Sequence, residues 1–149
     1  MSKALGLDLG TRTLGIAESD SAGWYAYGIE TFRFNEGNYK AAIQRVLEIA
    51  KKDNIEEIAL GLPLNMNGTK GERAESCLRF KDQLLEANPN FKITMIDERM
   101  TTMIANNRLL EADLSRNKRK KVIDQQAAVV ILESYLARRK WGKQNDYWR

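Results

Sequence analysis

The order in which hydrophobic patterns follow one another constrains the fold of this chain more than any other feature. Period-2 alternation in the first third predicts three strands, in GLDLG, LGIAES and the aromatic segment WYAYGIETFRF, as in an antiparallel meander. Helical segments then alternate with two short apolar runs, IEEIALGL and FKITMID. This order predicts an α/β protein with a mixed sheet and helices packed on its faces.

Four helices are predicted by the same patterns. The first begins after a cap at Asn38 and ends near Asn54. The second is GERAESCLRFKDQLLEANP, the third is the shorter TTMIANNRLLEAD, and the last, VIDQQAAVVILESYLARRK, is the longest amphipathic segment. The residues of the second helix that we expect to face the core are Ala74, Cys77, Leu78, Leu84 and Leu85.

The size and composition indicate one compact domain. The chain has 149 residues, of which 43% are hydrophobic, and it lacks a linker rich in Gly, Ser or Pro. We predict a single domain over residues 1–140 and a C-terminal tail over 141–149 that is loosely held or docks its aromatic side chains on a partner. No apolar run approaches the roughly 20 residues that span a bilayer, and the N-terminus is unlike a secretory signal. We therefore expect a soluble, cytoplasmic protein that does not bind membranes.

The absence of histidine limits the chemistry that this chain can perform. Without histidine there is no Ser-His or Cys-His nucleophile pair, and the single cysteine, Cys77, cannot build a thiolate-rich zinc site. Enzymatic chemistry must then depend on carboxylates, whose oxygens suit Mg²⁺ or Mn²⁺. Because these ions activate water and neutralise phosphoryl oxygens, phosphate chemistry is the leading hypothesis.

Asp8 is the first of three acids that stand out from the others. It lies inside a predicted strand, flanked by Gly6 and Gly10, although acids are rare there because a desolvated charge needs a partner. The glycines allow a ligand or another backbone to approach closely, which favours a metal or phosphate site. The ordinary alternative is an aspartate that caps the turn through Thr11 or Thr13.

Glu98 is the second, at the end of the strand FKITMID. Ligands collect at the carboxyl ends of strands in sheets with crossover helices. Asp97 and Glu98 point to opposite faces, so one enters the site while the other pairs with Arg99 or caps the following helix at Thr101. The pattern alone does not decide which.

Asp124 is the third, and its position on the last predicted helix is informative. It shares a face with Ala127, Ala128, Ile131 and Tyr135, so it lies on the buried side, where small residues let the helix approach the sheet. The alternative is an acid in the first turn that the helix dipole favours. If the three acids converge, their repulsion raises the pKa of at least one, and a divalent cation relieves it.

The distribution of charge indicates a polyanionic partner. Residues 1–114 contain 14 Lys/Arg and 17 Asp/Glu, whereas residues 115–149 contain 10 and 3. Clustered basic residues neutralise phosphates and release their counterions, although a solvated basic tail is the ordinary alternative.

Four segments together resemble the YqgF/RuvX family, whose members are described as Holliday-junction resolvases and as nucleases that mature the precursor of small-subunit ribosomal RNA. The segments are GLDLGTRTLG (6–15), GLPLNMNG (61–68), DERMTT (97–102) and DQQAAVVIL (124–132), in family order and spacing. The resemblance extends from about Leu5 to about Leu136.

The resemblance implies a ribonuclease H-like fold, with a five-stranded sheet that begins with three antiparallel strands and carries helices on both faces. It also implies that Asp8, Glu98 and Asp124 are the catalytic residues and the ligands of Mg²⁺ or Mn²⁺. The implied activity is metal-dependent hydrolysis of phosphodiester bonds in the processing of the 5′ end of pre-16S rRNA. Ribosomal precursor particles are then the expected partners, bound by a monomer or a homodimer.

Several basic residues are candidates for binding nucleic acid. Arg12 and the amides of the Gly10–Thr13 turn are placed to hold a phosphate near Asp8, and Arg99 to hold a second, while the loop GLPLNMNGTKG lines the groove. These residues have ordinary alternatives as solvated or loop-shaping positions. The basic residues expected to track phosphates just before Asp124 are Arg116, Lys118, Arg119, Lys120 and Lys121.

Three other functions compete with an rRNA nuclease. One is a Holliday junction resolvase in DNA recombination and repair. Another is a non-catalytic nucleic-acid-binding or ribosome-assembly factor, because related resolvases carry a fourth acid and the turn after Asp124 has Gln125, Gln126 and alanines instead. The third is ATP binding, since GLDLGTRTLG also resembles the first phosphate motif of the sugar-kinase, heat-shock-protein and actin superfamily; the second lobe and loops that this superfamily requires are missing from the sequence.

Overall fold

Five strands form one mixed sheet in the computed structural model, which describes residues 2–99 and 126–140. The strands are β1 (Ala4–Leu9), β2 (Thr13–Ser19), β3 (Ala26–Arg33), β4 (Glu57–Leu62) and β5 (Lys92–Asp97). The helices are α1 (Tyr39–Asp53), α2 (Glu72–Ala87) and α3, whose described part covers residues 126–140. The predicted helix over 101–113 and the tail over 141–149 lie outside the described residues.

The strand order is β3-β2-β1-β4-β5, which places β1 at the centre of the sheet. The first three strands pair antiparallel, while β4 and β5 join in parallel register with β1. The predicted mixed sheet with three antiparallel strands first is therefore confirmed. Because β1 is central, side chains on both of its faces are covered by helices.

One face of the sheet carries large apolar side chains that pack against α1 and α2. Leu5, Leu7 and Leu9 alternate along β1 and are at most 2% exposed. Burial of side chains of this size supplies most of the hydrophobic stabilisation of such a domain. The members of this core from the two helices include Ala42, Ile43 and Val46 of α1 and Cys77, Phe80 and Leu84 of α2.

Phe80 corrects the predicted inner face of α2. Phe80 is 1% exposed and meets Tyr39 of α1 edge to face, with ring centroids 6.3 Å apart, whereas Leu78 is only partly buried. The predicted cap at Asn38 is correct in position, but the Asn38 side chain makes no capping hydrogen bond. Asn54 ends α1 in the left-handed conformation, as its place after the apolar stripe suggested.

The opposite face of the sheet is lined by small residues, and α3 lies directly on it. A Cβ atom added to Gly6 would come within 2.6 Å of the carbonyl oxygen of Ala128 and 2.7 Å of Leu132 Cβ. Ala17 and Ala59, on the neighbouring strands, are also fully buried under this helix. The helix therefore lies close to the sheet because the residues beneath it have little or no side chain.

A partly buried ion pair fixes the C-terminal half of α3 on the sheet. Arg139 Nη1 donates to both carboxylate oxygens of Glu57, at 3.0 and 3.1 Å, and the hydroxyls of Tyr135 and Ser2 donate to the same carboxylate. The side chains of Arg139 and Glu57 are 13% and 16% exposed. Burial works against the charge of Glu57, but these hydrogen bonds outweigh it and lower its pKa.

None of the helices within residues 2–99 and 126–140 is both long and apolar enough to span a bilayer.

We expect Arg139→Met to destabilise the protein by about 3 kcal/mol at pH 7, because it leaves the buried Glu57 carboxylate without its cation. Since the folded pKa of Glu57 is lowered, the contribution of the pair is complete above the ordinary glutamate pKa of 4.5 and is lost as the pH falls through the folded pKa. The difference from wild type should therefore shrink at pH 4. Urea unfolding at both pH values measures it.

The matched control is Arg138→Met, which removes the same charge from the neighbouring, exposed position. It should change the free energy of unfolding by less than about 0.5 kcal/mol. Equal losses for the two variants would show that the ion pair does not anchor α3.

Candidate functional site

The structure brings Asp8 and Glu98 together on the small-residue face of the sheet. Asp8 lies on β1 and faces the same side as Gly6, towards α3. Ile96 of β5 packs against α3, so Glu98, two residues further on, enters from the same side. The two carboxyl groups lie within hydrogen-bonding range of each other.

Gly61 of β4 makes the space in which Glu98 sits. A Cβ atom at this position would lie 2.6 Å from Glu98 Cδ and 2.7 Å from Ile131 Cδ1 of α3. Any larger residue would displace the carboxyl group or the helix. Gly61 therefore does more than shape the loop that follows it, which was its ordinary interpretation from sequence.

The electrostatics of the pair follow from this enclosure. Burial, followed by the hydrogen bond and the charge of Asp8, raises the pKa of Glu98 to about 9 against the opposing charge of Arg73. At neutral pH the two groups thus share a proton. The two adjacent carboxyl groups form a pair of hard oxygen donors, and a divalent cation would replace the proton that Glu98 holds.

Asp97 faces the other way and is engaged elsewhere. Arg99 Nη2 donates to Asp97 Oδ2 at 2.6 Å, and Arg99 Nε lies 3.0 and 3.1 Å from the two oxygens. These bonds lower the pKa of Asp97. Of the two acids between which the strand pattern left the choice open, the structure thus places Glu98 beside Asp8 and Asp97 against Arg99.

Arg12 and Arg99, the predicted phosphate ligands, differ in how firmly they are held. Besides its ion pair with Asp97, Arg99 donates to the carbonyl of Met66 in the 61–71 loop at 3.3 Å. Arg12 makes a single exposed ion pair with Glu36, at 3.3 Å, and such pairs contribute little. Arg12 can therefore exchange its partner for a phosphate at low cost.

Arg73 belongs to the site and was missed by the sequence interpretation. It lies in the first turn of α2, and its Nη2 donates to the carbonyl of Leu9 at 2.8 Å, one residue after Asp8 in the chain. Its charge also acts on Glu98. The position of Arg73 just after the 61–71 loop was visible in the sequence, but no periodicity indicates that a helix begins beside the end of β1.

The third predicted acid, Asp124, lies outside the described residues. So do the predicted phosphate-tracking residues, which are Arg116, Lys118, Arg119, Lys120 and Lys121. Within residues 2–99 and 126–140, no group of three or more His, Cys, Asp or Glu side chains is arranged to hold a metal ion. The described carboxyl pair is thus two of the three predicted ligands.

Comparison with known proteins identifies the family. A family model described as "RuvX: Holliday junction resolvase" matches residues 2–138. The chain belongs to the RuvX family. A Staphylococcus aureus (strain JH9) member, named "Putative pre-16S rRNA nuclease", is 53% identical over 134 residues, which cover 90% of this chain and 94% of the relative.

Solved structures show the same fold at low sequence identity. The chain matches Thermus thermophilus RuvC in complex with a Holliday junction substrate, with a TM-score of 0.56, 15% identity and coverage of 93% of this chain and 96% of that one. A second T. thermophilus RuvC structure gives a TM-score of 0.54 at 14% identity and the same coverage. The predicted ribonuclease H-like fold, in its RuvC-like form, is confirmed.

We expect Asp8→Asn to stabilise the metal-free protein by about 1 kcal/mol at pH 8, because it removes the charge that repels Glu98. The folded pKa of Glu98 is raised, so the folded state holds its proton more tightly and stability falls as the pH rises from about 4.5 to about 9. The gain should therefore be smaller at pH 5. Urea unfolding in the presence of a chelator measures it.

Asp97→Asn is the control for this variant, since it removes a neighbouring charge that Arg99 already compensates. It should be neutral or slightly destabilising at both pH values. A loss of stability in Asp8→Asn that grows with pH would contradict the proposed repulsion.

Proposed function

We propose that this RuvX-family protein is a metal-dependent nuclease that hydrolyses phosphodiester bonds during maturation of the 5′ end of pre-16S rRNA. The observation that carries the proposal is the enclosed pair of Asp8 and Glu98, two hard oxygen donors that share a proton. The substrate is suggested by the Staphylococcus aureus relative, which matches nine-tenths of this chain at 53% identity. We expect the protein to act in the cytoplasm, on ribosomal precursor particles.

Three residues would hold the metal ions. Asp8 and Glu98 would contribute from β1 and from the end of β5, and Asp124 from the start of the last predicted helix. Ala128 contacts the sheet over Gly6. Asp124 is four residues earlier in the sequence, so if the predicted helix begins before it, the acid would lie on the same face as Ala128. Bound Mg²⁺ or Mn²⁺ would activate a water molecule and neutralise charge on the phosphoryl oxygens.

The other residues of the site would position the substrate and control protonation. Arg12, whose ion pair is weak and exposed, would bind a phosphate next to Asp8, and Arg99 another along the 61–71 loop. Arg73 would hold the end of β1 in place and favour the charged form of Glu98. The basic residues 116–121 would follow the phosphate backbone, so removal of their charges should flatten the salt dependence of binding.

Substitution of the carboxyl pair should separate cleavage from binding. We expect Asp8→Asn and Glu98→Gln to slow Mn²⁺-dependent cleavage of an RNA that spans the 5′ end of 16S rRNA by about a hundredfold or more. RNA binding should be unchanged, because neither group carries the positive charge on which affinity depends. Gel assays of cleavage and of binding measure the two effects.

The matched control is again Asp97→Asn, which removes an adjacent acid from the opposite face and should retain most of the activity. If wild-type protein cleaves neither this RNA nor a four-way DNA junction while it binds RNA, a non-catalytic assembly factor is the better description. Equal activity of Asp8→Asn and wild type would also contradict the proposed site.

Metal binding should release a proton and strengthen as the pH rises. Because the folded pKa of Glu98 is about 9, the pair holds a proton at neutral pH that the cation must displace. We expect the affinity for Mg²⁺ to increase between pH 6 and pH 8. Calorimetry in two buffers of different ionisation enthalpy measures the protons released, and pH-independent binding without proton release would contradict the site.

A Holliday junction resolvase is the second candidate, because the matching family model carries that description. Paired cuts in a junction need two active sites, so this activity requires a homodimer, whereas rRNA processing can proceed with a monomer. Preferential cleavage of a four-way junction over RNA, with a dimeric mass in solution, would favour the resolvase.

A further inference from the structure

A second cleft lies between β3 and the C-terminal half of α1, away from the carboxyl pair. Its volume is about 510 Å³, and its lining includes Glu18 of β2, Ile29 of β3, and Ile49 and Asp53 of α1. Glu18 pairs with Leu5 across the sheet, and Leu5 belongs to the core under α1 and α2. The cleft is therefore on the face of the sheet opposite to Asp8.

Glu18 is the unusual residue of this cleft. It is only 5% exposed, and its Oε2 accepts a hydrogen bond from the hydroxyl of Tyr27 at 3.0 Å. Its Oε1 is buried, and among the described residues no donor reaches it. The carboxyl group of Asp53 lies within hydrogen-bonding range of Glu18. Burial is the largest cause of the raised pKa of Glu18, and the hydrogen bond with Asp53 is the second. The two carboxyl groups thus face each other, and within the described residues only a proton carried by one of them can lie between them.

Glu30 and Glu48, the other two acids of the cleft, are both bound by a cationic side chain. Arg45 donates to both oxygens of Glu30, at 2.6 and 2.8 Å, and to Glu48 at 2.9 Å, so one cation holds two carboxylates. Near Glu18 and Asp53, Lys3 favours the ionised form of both acids through its charge, and Lys52, which also lines the cleft, does the same for Asp53. Neither lysine donates a hydrogen bond to Glu18 Oε1. A buried carboxylate oxygen that lacks a donor costs free energy, which a ligand with N–H groups would recover.

We propose that this cleft binds a primary alkylammonium group, which donates hydrogen bonds to both Glu18 and Asp53. An ammonium group carries three N–H donors and no acceptor, which matches two facing carboxylates. Ile29 and Ile49 line the same cleft and would contact the methylene chain that carries the ammonium group. A metal ion fits less well, because within the described ranges no group of three or more possible ligands is assembled.

The ammonium group has two possible sources, a free polyamine and a lysine side chain of a protein partner. Within the described residues β3 is an edge strand, and it exposes Tyr27 by 45% and Ile29, which lines the cleft, by 37%. An extended lysine-containing segment along this edge would therefore gain additional contacts. The experiment separates the two sources by using one probe of each kind.

Calorimetric titration of the full chain in 150 mM salt, with spermidine and with the blocked tripeptide acetyl-Val-Lys-Val-amide, tests the proposal. We expect wild type to bind at least one probe, and Glu18→Gln to weaken binding by about tenfold or more. In Glu18→Gln the new amide supplies a donor towards Asp53, so this variant should fold at least as stably as wild type. Asp53→Asn, at the edge of the cleft, provides a second and independent loss of affinity.

Glu75→Gln is the matched control, because it removes the same charge from an exposed position on α2. It should leave binding unchanged, and the net charge of +4 already disfavours non-specific attraction of polyamines.

Tighter binding of spermidine would identify a free polyamine as the ligand, and tighter binding of the tripeptide would identify a protein partner. Failure of wild type to bind either probe, or equal binding by Glu18→Gln, would overturn the proposal. Because the cleft and the carboxyl pair lie on opposite faces, Glu18→Gln should cleave RNA as wild type does.

Discussion

The close approach of α3 to the sheet is the constraint on which the rest of the structure depends. Gly6 and Gly61 lie where the helix crosses β1 and β4, and neither position has room for a Cβ atom. The carboxyl group of Glu98 and the side chain of Ile131 meet over Gly61. The packing of one helix on small residues therefore also creates the environment in which Asp8 and Glu98 share a proton.

One face of the sheet contributes most to stability, and the other carries the candidate site. Leucines and α1 with α2 form a tight apolar core on one face, whereas the other face accepts a desolvated pair of acids. Such a pair lowers stability, and the cost is tolerated because the first face and the buried ion pair between Arg139 and Glu57 stabilise the fold elsewhere. Glu18 repeats the same arrangement in a second place, since it is a buried acid whose partner is another acid.

Much of the fold followed from local patterns. The alternation of Leu5, Leu7 and Leu9 placed Asp8 on the small-residue face, and the order of strands and helices predicted a mixed sheet. Phe80 was missed although it lies three residues after Cys77 and four before Leu84, a spacing that fits the apolar stripe of α2. Its contact with Tyr39 of a different helix could not be read from that spacing. The local sequence pattern indicates which face of a helix or strand is apolar. It does not indicate which side chain from a distant part of the chain packs against that face.

Three things followed from the sequence by itself. They are the order of the strands and helices within the described residues, the chemical limits imposed by the lack of histidine, and the identity of Asp8 as an acid that needs a partner. The resemblance to a known family pointed to Glu98, but only the tertiary structure placed it beside Asp8 and turned Asp97 to Arg99. The tertiary structure alone also showed that Arg73 acts on the same pair and that Glu18 faces Asp53. The physical reason is that these relations join strands and helices far apart in the chain. A strand repeats every two residues and a helix every 3.6, but the register between them is set by the packing of α3, α1 and α2 on the sheet.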